Sequence, residues 1–341
     1  MSAKTILSID GGGIRGVIPA TLLEAIEERT EQPVSSLFDV IAGTSTGGIL
    51  ALGLSCPKRD AAQPRFTAAE LLDLYRGKGG KIFPHEFSGR FRQLLGPKYS
   101  DRGRHEVLSE KFDGARLSQA LTDVLVTSYD LQGRRPFFFR SASTGSTGGP
   151  RDYTMVEAAM ATSAAPTYFR PTRIAAAAED EDELVLVDGG VFANNPAMCA
   201  FVDDSSAKGV AAGALIVSLG TGESIRRTQR VYPAAKRWGL LCWGKRIINL
   251  VFDGVSEATS YEIGSVLAQS DSYRFQVELP PEHEHLDDTH AANTEALEKL
   301  AKRLIDAQPA KLDELCVKLL QRAGKPLPPR YAAQSGAGSA A

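Results

Sequence analysis

The chain has 341 residues, 43% hydrophobic and 23% charged, with 39 basic side chains against 41 acidic ones and a formal net charge of -2. This is an ordinary globular composition with enough length for a substantial core, which excludes a fibrous or wholly disordered chain. The balance of charge leaves no strongly basic field, so no nucleic-acid partner is expected.

In chain order, Met1 to Asp10 offers one lysine and a few apolar residues before a run of glycines, too short for a signal-peptide core. Thr5–Ile9 reads as a buried strand and Val17–Thr30 as an amphipathic helix. Between them lies Asp10-Gly11-Gly12-Gly13-Ile14-Arg15-Gly16. Three consecutive glycines let several backbone N–H groups approach an anion at a helix N-terminus, so this loop can stabilise negative charge. Gly11, Gly13 and Gly16 also match the dinucleotide-binding spacing. The next strand argues against a dinucleotide, because its acidic residue, Asp39, stands at the strand's beginning instead of its far end.

Phe38–Ala42 is the next predicted strand and Gly47–Leu54 the next helix, with Gly43-Thr44-Ser45-Thr46-Gly47 between them. A G-x-S-x-G between strand and helix is the pattern of a nucleophile elbow, in which the small flanking residues Gly43 and Gly47 permit a strained turn that exposes the serine. The lysine of a phosphate-binding loop is missing, since Gly48-Ile49 follow Gly47. Cys56–Gln63 reads as an exposed loop, Leu117–Ser128 as a helix, Pro136–Arg140 as a strand, Thr154–Thr162 as a helix and Ala175–Glu183 as an acidic loop.

The strand Leu184–Val187 runs into Asp188-Gly189-Gly190. The carboxyl end of a strand in an open α/β sheet is where sites form, and two glycines keep the carboxylate accessible. Asp188 is therefore the candidate base for Ser45, against the plainer reading of an aspartate in a turn. Pro196–Asp204 follows as a helix, Ala214–Leu219 as a strand, Ser272–Glu278 as an edge strand, and Thr294–Ala307 and Ala310–Ala323 as helices. None of the five histidines ends a predicted strand; His85 and His105 lie in basic stretches, and His283, His285 and His290 in an acidic one. The alternation of strands and helices indicates an α/β fold around a largely parallel sheet, with one domain over 1–323 and a disordered tail over 324–341. Cys56, Cys199, Cys242 and Cys316 lack any CxxC spacing and read as reduced thiols, and no apolar run reaches the ~18 residues of a bilayer span, so a cytoplasmic protein is expected.

The ordered set DGGGIRG, GTSTG and DGG, with Ala161–Phe169 and Val187–Pro196, resembles the patatin-like phospholipase family over about residues 4 to 222. The resemblance implies a three-layer sandwich around a mainly parallel sheet. It also implies a lipid acyl hydrolase of the phospholipase A type that works through a Ser45–Asp188 dyad and an acyl-serine. Gly11, Gly12 and Gly13 would then form the oxyanion hole, with Gly189 and Gly190 in support and no cofactor or metal. Arg15 would position the loop or attract a phosphate headgroup. A phospholipid membrane surface becomes the expected partner, met peripherally through Lys236–Phe252, where both tryptophans lie among basic residues. Bacterial members of the family that act in antiphage defence are switched on by cyclic dinucleotides, so the resemblance also admits a nucleotide activator. Two other readings stay open: an α/β-hydrolase with a histidine from His283–His290 completing a triad, and a non-enzymatic nucleotide-binding module built on the glycine loop.

Overall fold

A computed structural model describes residues 4–59, 61–83, 96–141, 151–176, 183–208, 213–224, 236–237, 239, 243, 247–268 and 271–332. Its strands and helices, in chain order, are β1 Thr5–Ile9, α1 Val17–Thr30, β2 Val40–Thr44, α2 Thr46–Ser55, β3 Pro57–Lys58, β4 Ala61–Pro64, α3 Ala68–Ile82, α4 Asp101–Phe112, β5 Asp123–Asp130, β6 Arg135–Arg140 and α5 Met155–Thr162. They continue with β7 Thr172–Ile174, β8 Leu184–Asp188, α6 Gly190–Ala193, α7 Ala197–Lys208, β9 Leu215–Leu219, β10 Glu223–Ser224, α8 Ile247–Val266, β11 Ser272–Phe275, β12 Glu278–Leu279, α9 Ala291–Ala307, α10 Pro309–Arg322 and α11 Pro329–Ala332.

The main sheet runs β11-β9-β1-β2-β5-β8-β7, with β6 paired to β5. From β11 to β5 every neighbouring pair is parallel, while β6, β7 and β8 join antiparallel. Parallel strands carry helices on both faces, and β1, β2 and β9 are accordingly buried along their whole length. Alternation divides their side chains. Leu7, Ile9 and Val217 join α1, α2, α3, α9 and α10 in one core. Ile6, Val40, Ala42 and Ile216 pack with Ala197, Ala200, Phe201 and Ile263 of α7 and α8 on the other face. The result is the expected three-layer α/β sandwich.

The structure corrects several boundaries. Leu117–Ser128, expected to be a helix, is a short helical turn at Leu117–Gln119 followed by β5. Val124, Leu125 and Val126 are buried on both faces, and such a continuous apolar run has no periodicity to separate strand from helix. The loop expected at Cys56–Gln63 contains the β3–β4 ribbon, and Ala175–Glu183 falls largely outside the described residues. Part of the tail expected to be disordered is ordered, and the rest, 333–341, lies outside the described residues. Residues past Gly324 continue into α11, where Tyr331 is buried and donates its hydroxyl to Asp313 at 2.9 Å. The edge strand expected at Ser272–Glu278 is found over Ser272–Phe275, and Glu278 belongs instead to β12 in a separate two-stranded ribbon.

Candidate active site

The register of β5 brings the site together. β6 occupies one edge of β5 over Leu125–Asp130, so β2 and β8 must share the other edge. Thr44, the last residue of β2, pairs with Thr127, and Asp188, the last residue of β8, pairs with the next residue, Ser128. The two strands point at each other end to end. Ser45 and Asp188, 143 positions apart in sequence, meet where they stop, and the Ser45 hydroxyl donates to Asp188 Oδ2 at 2.6 Å.

Ser45 itself stands in the backbone conformation of an elbow, with φ 55° and ψ -121°. A non-glycine residue with positive φ costs about 1–3 kcal/mol and persists only when its surroundings over-determine it. Here the Ser45 N–H donates to Thr162 Oγ1 at 2.9 Å. Thr44 Oγ1 shares a hydrogen bond with Thr127 Oγ1 at 2.7 Å and donates to Ala193 C=O at 2.6 Å. Gly47 packs its Cα directly against the carbonyls of Ile9 and Asp10, an approach that any side chain would block.

Asp188 is fully buried and accepts two further-shaped constraints, the Ser45 hydroxyl on Oδ2 and the Gly190 N–H on Oδ1 at 2.8 Å. Burial pushes its carboxyl up to about 7, with the Ser45 and Gly190 bonds and the Arg104 charge pulling in the opposite direction. A carboxylate is thereby made a far stronger base than an exposed aspartate.

The glycine loop is tied down from four directions. Asp10 accepts Arg274 on both oxygens, at 3.0 and 2.7 Å, and Ser256 at 2.9 Å. Thr221 donates to Gly11 C=O at 2.6 Å, and Ile14 N–H donates to Leu286 C=O at 2.8 Å. The structure separates the three glycines expected to act as donors. Gly11 gives its N–H to Asn194 C=O at 3.0 Å, whereas among the described residues no acceptor takes the N–H of Gly12 or Gly13. Gly13, at φ +57°, lines the same cleft as Ser45. Arg15 is buried and donates from Nε to Gly12 C=O at 3.4 Å. It lines a small polar pocket with Asp10, Glu223, Asp253 and Glu257, so its charge is met by carboxylates behind the loop. Of its two expected roles, loop positioning is the one this placement suits.

Ser45 opens into a cleft of about 730 Å³ whose walls are almost entirely apolar. Its lining takes Ile14 and Ile49 from the loop and elbow, Leu74, Ile82, Phe83 and Leu108 from the α3 and α4 side, and Tyr168, Phe169 and Phe252. Among the few polar groups, Thr46 Oγ1 and the Tyr75 hydroxyl lie 2.5 Å apart, and Arg104 is bound to Ser163 through an amino nitrogen. An activated serine lining an apolar cleft, with free N–H groups beside it, can take an acyl ester.

The family model for patatin-like phospholipase matches residues 7–201. Patatin-like protein 2 of Oryza sativa subsp. indica is 31% identical over 349 residues, an alignment that spans 91% of this chain and 85% of the relative. The chain belongs to the patatin-like phospholipase family. Patatin-like protein 2 of Arabidopsis thaliana is 35% identical, with 75% of this chain and 69% of the relative covered. Patatin-17 of Solanum cardiophyllum is 34% identical, with 88% and 83% covered. The crystal structure of VipD from Legionella pneumophila superposes with a TM-score of 0.44 at 13% identity over 90% of this chain and 67% of that one, too distant to inform the site. Membership of the patatin-like family supports lipid acyl hydrolase activity in general.

For a patatin-like chain, the histidines of the alternative triad are in the wrong place. His283 Nδ1 lies 2.6 Å from Asn293 Oδ1, His290 Nδ1 lies 2.6 Å from Asp288, and His285 is exposed. None is bonded to Asp188, which Ser45 meets directly. Replacing all three with glutamine is expected to leave ester hydrolysis within about twofold of wild type, as measured by initial rates on a soluble ester. A triad enzyme would lose at least about 10³-fold in the same assay.

Sequence reading missed α3 and α4, and with them Tyr75, Arg104 and most of the acyl-side wall. The signals were present. Thr67 and Glu70 form a capping box ahead of Leu71, Leu72 and Leu74, and Ser100 caps Asp101–Phe112. Thr162, which fixes the elbow, lies in the Ala161–Phe169 segment that carries the resemblance, but nothing in the residues themselves pointed to this role. In the segment expected to meet a membrane, Trp243, Ile247 and Leu250 are exposed and Phe252 is buried, while Trp238, Lys245 and Arg246 lie outside the described residues. No helix of the described residues is long and apolar enough to cross a membrane.

Proposed function

We propose that this protein is a phospholipase A-type acyl hydrolase that uses a Ser45–Asp188 dyad. The observation that carries the reading is the 2.6 Å bond from a fully buried Asp188 to the hydroxyl of Ser45, which lines an apolar cleft. Asp188 takes the Ser45 proton as Oγ attacks the ester carbonyl, and the oxyanion develops beside the N–H groups of Gly12 and Gly13. Collapse transfers that proton from Asp188 to the departing lysolipid oxygen and leaves an acyl-serine. Water then enters, gives its proton to Asp188, and frees the fatty acid as the proton returns to Ser45 Oγ. The apolar walls hold the acyl chain. The exposed Trp243, Ile247 and Leu250, close in sequence to the cleft-lining Phe252, suit peripheral contact with a lipid surface.

The test is fatty-acid release from phospholipid vesicles with EDTA present throughout, coupled to fluorophosphonate labelling. Release that survives chelation, with the label on Ser45, supports the reading. Neither release nor label would favour a ligand-binding role for the glycine loop.

The raised carboxyl of Asp188 gives the activity a pH signature. Only the ionised form accepts a proton, so kcat is expected to fall about tenfold per unit below about pH 7 and to level off above it. An ordinary carboxylate would leave the rate flat down to about pH 5. A pH–rate profile on a soluble ester distinguishes the two.

A further inference from the structure

Arg104 is only 1% exposed, lies at the apolar cleft, and takes no part in the steps above. Its guanidinium donates through one amino nitrogen to both Ser163 C=O and Ser163 Oγ, the latter at 3.2 Å, and through the other to Asp101 at 3.0 Å. The guanidinium carbon lies 4.2 Å from the centre of the Phe169 ring, and Nε is buried with no acceptor. A cation this deeply desolvated, with an unsatisfied donor, is a costly way to fill space; an apolar side chain of similar size would serve packing better.

The residues around Ser163 give the arginine a purpose. Thr162 Oγ1 receives the Ser45 N–H at 2.9 Å, and Ala164 C=O receives the Asp188 N–H at 3.1 Å. Three consecutive residues thus touch one partner of the dyad, Arg104, and the other partner. We propose that Arg104 is a positioning residue for the dyad: it clamps the Thr162–Ser163–Ala164 bracket that sets the Ser45–Asp188 distance and places its charge where it favours the Asp188 carboxylate. The proposal rests on the dyad reading. The groups facing Asp188 are the Ser45 hydroxyl from the elbow before α2, the Gly190 N–H from α6 and the Arg104 charge from α4, and Arg104 in turn faces Asp101.

The test combines kcat and KM on a soluble ester with a carbon-13 NMR titration of the Asp188 carboxyl, in wild type, Arg104→Met, Arg104→Lys and Asp101→Asn. In Arg104→Met the Asp188 midpoint and the acid limb of kcat are expected to rise together by about one pH unit, and kcat to fall roughly 10- to 100-fold with KM within about threefold. Arg104→Lys keeps the charge and so restores the midpoint, but a single ammonium replaces the planar fork and recovers only part of kcat. Asp101→Asn removes the charge opposing Arg104 and is expected to move the midpoint down; at this part-exposed position it keeps the side chain's size and an oxygen acceptor, so it reports even if Arg104→Met does not fold. An active wild type whose Asp188 midpoint is unmoved by Asp101→Asn, or equally raised in Arg104→Lys and Arg104→Met, overturns the proposal. A wild type that hydrolyses nothing while Asp188 still follows Arg104 overturns the dyad reading instead.

Discussion

Ser45→Ala is expected to lower fatty-acid release by at least about 10⁴-fold, and Asp188→Asn by a similar factor, because each removes half of a unit that works only when both members are present. Combining the two should cost little more than either alone. The aspartate variant carries a second signature that separates chemistry from unfolding. Burial raises the Asp188 carboxyl to about 7 in the folded state, against an ordinary value near 3.8. Between those values the folded protein binds a proton that the unfolded chain releases, so this group's contribution to stability is greatest at low pH and is lost as pH rises to about 7. Asparagine has no charge to desolvate and can still accept the Gly190 N–H while donating to Ser45. Asp188→Asn should therefore be inactive yet melt a few degrees higher than wild type at pH 8, with a smaller gain at pH 5. Calorimetry at the two pH values checks this. An inactive variant that melts lower at both would mean that the loss of activity came from damage to the fold.

The second large effect is expected at Gly13→Ala, with a loss of roughly 10²- to 10³-fold in kcat. Gly13 sits at φ +57°, and an added Cβ would press into the carbonyl oxygen of Leu286, the same oxygen that holds the Ile14 N–H. Backbone cannot swing aside as a flexible side chain does, so the loop moves and its N–H groups lose their aim. Gly324→Ala is the control. Gly324 also has positive φ, +63°, but an added Cβ there meets nothing within 4 Å. It pays the same backbone strain, about 1 kcal/mol, without touching the site. Thermal melts should show the loss from strain in both variants, larger in Gly13→Ala by the cost of the clash, and only Gly13→Ala should lose turnover. Equal activity in the two would show that the loop's conformation does not matter to the reaction.

The position of the candidate site was legible because it is marked by short motifs at strand ends. Thr5–Ile9 and Val17–Thr30 are found with the boundaries read from the sequence, and the glycine loop, Ser45 and Asp188 all lie at the carboxyl ends of sheet strands. What sequence could not supply was the register that sets β2 and β8 end to end on one edge of β5, since nothing in Leu117–Ser128 declared a strand at all. The cleft was hidden for a different reason. Much of its lining comes from α3 and α4, whose caps are plain but whose apolar residues face a cavity and leave weak periodicity, notably in Asp101–Phe112. Arg104 read as one more charge in a basic stretch because burial of a charged side chain is a tertiary fact. Gly11 shows the limit of carrying a motif over whole: its N–H is already engaged by Asn194.

The ties on the glycine loop bear on how much of the chain that loop needs. Asp10 depends on Arg274, 264 positions later, and Ile14 depends on Leu286, yet every recognisable motif has been translated by residue 222. Contacts of such long sequence separation form late, after the intervening chain is available. A nascent chain that displays the glycine loop, the elbow and the aspartate thus still lacks the two anchors that hold the loop in place. The loop's two anchors are supplied only once Arg274 and Leu286 have been made, so a chain cut short before them would display all three motifs with the glycine loop unheld.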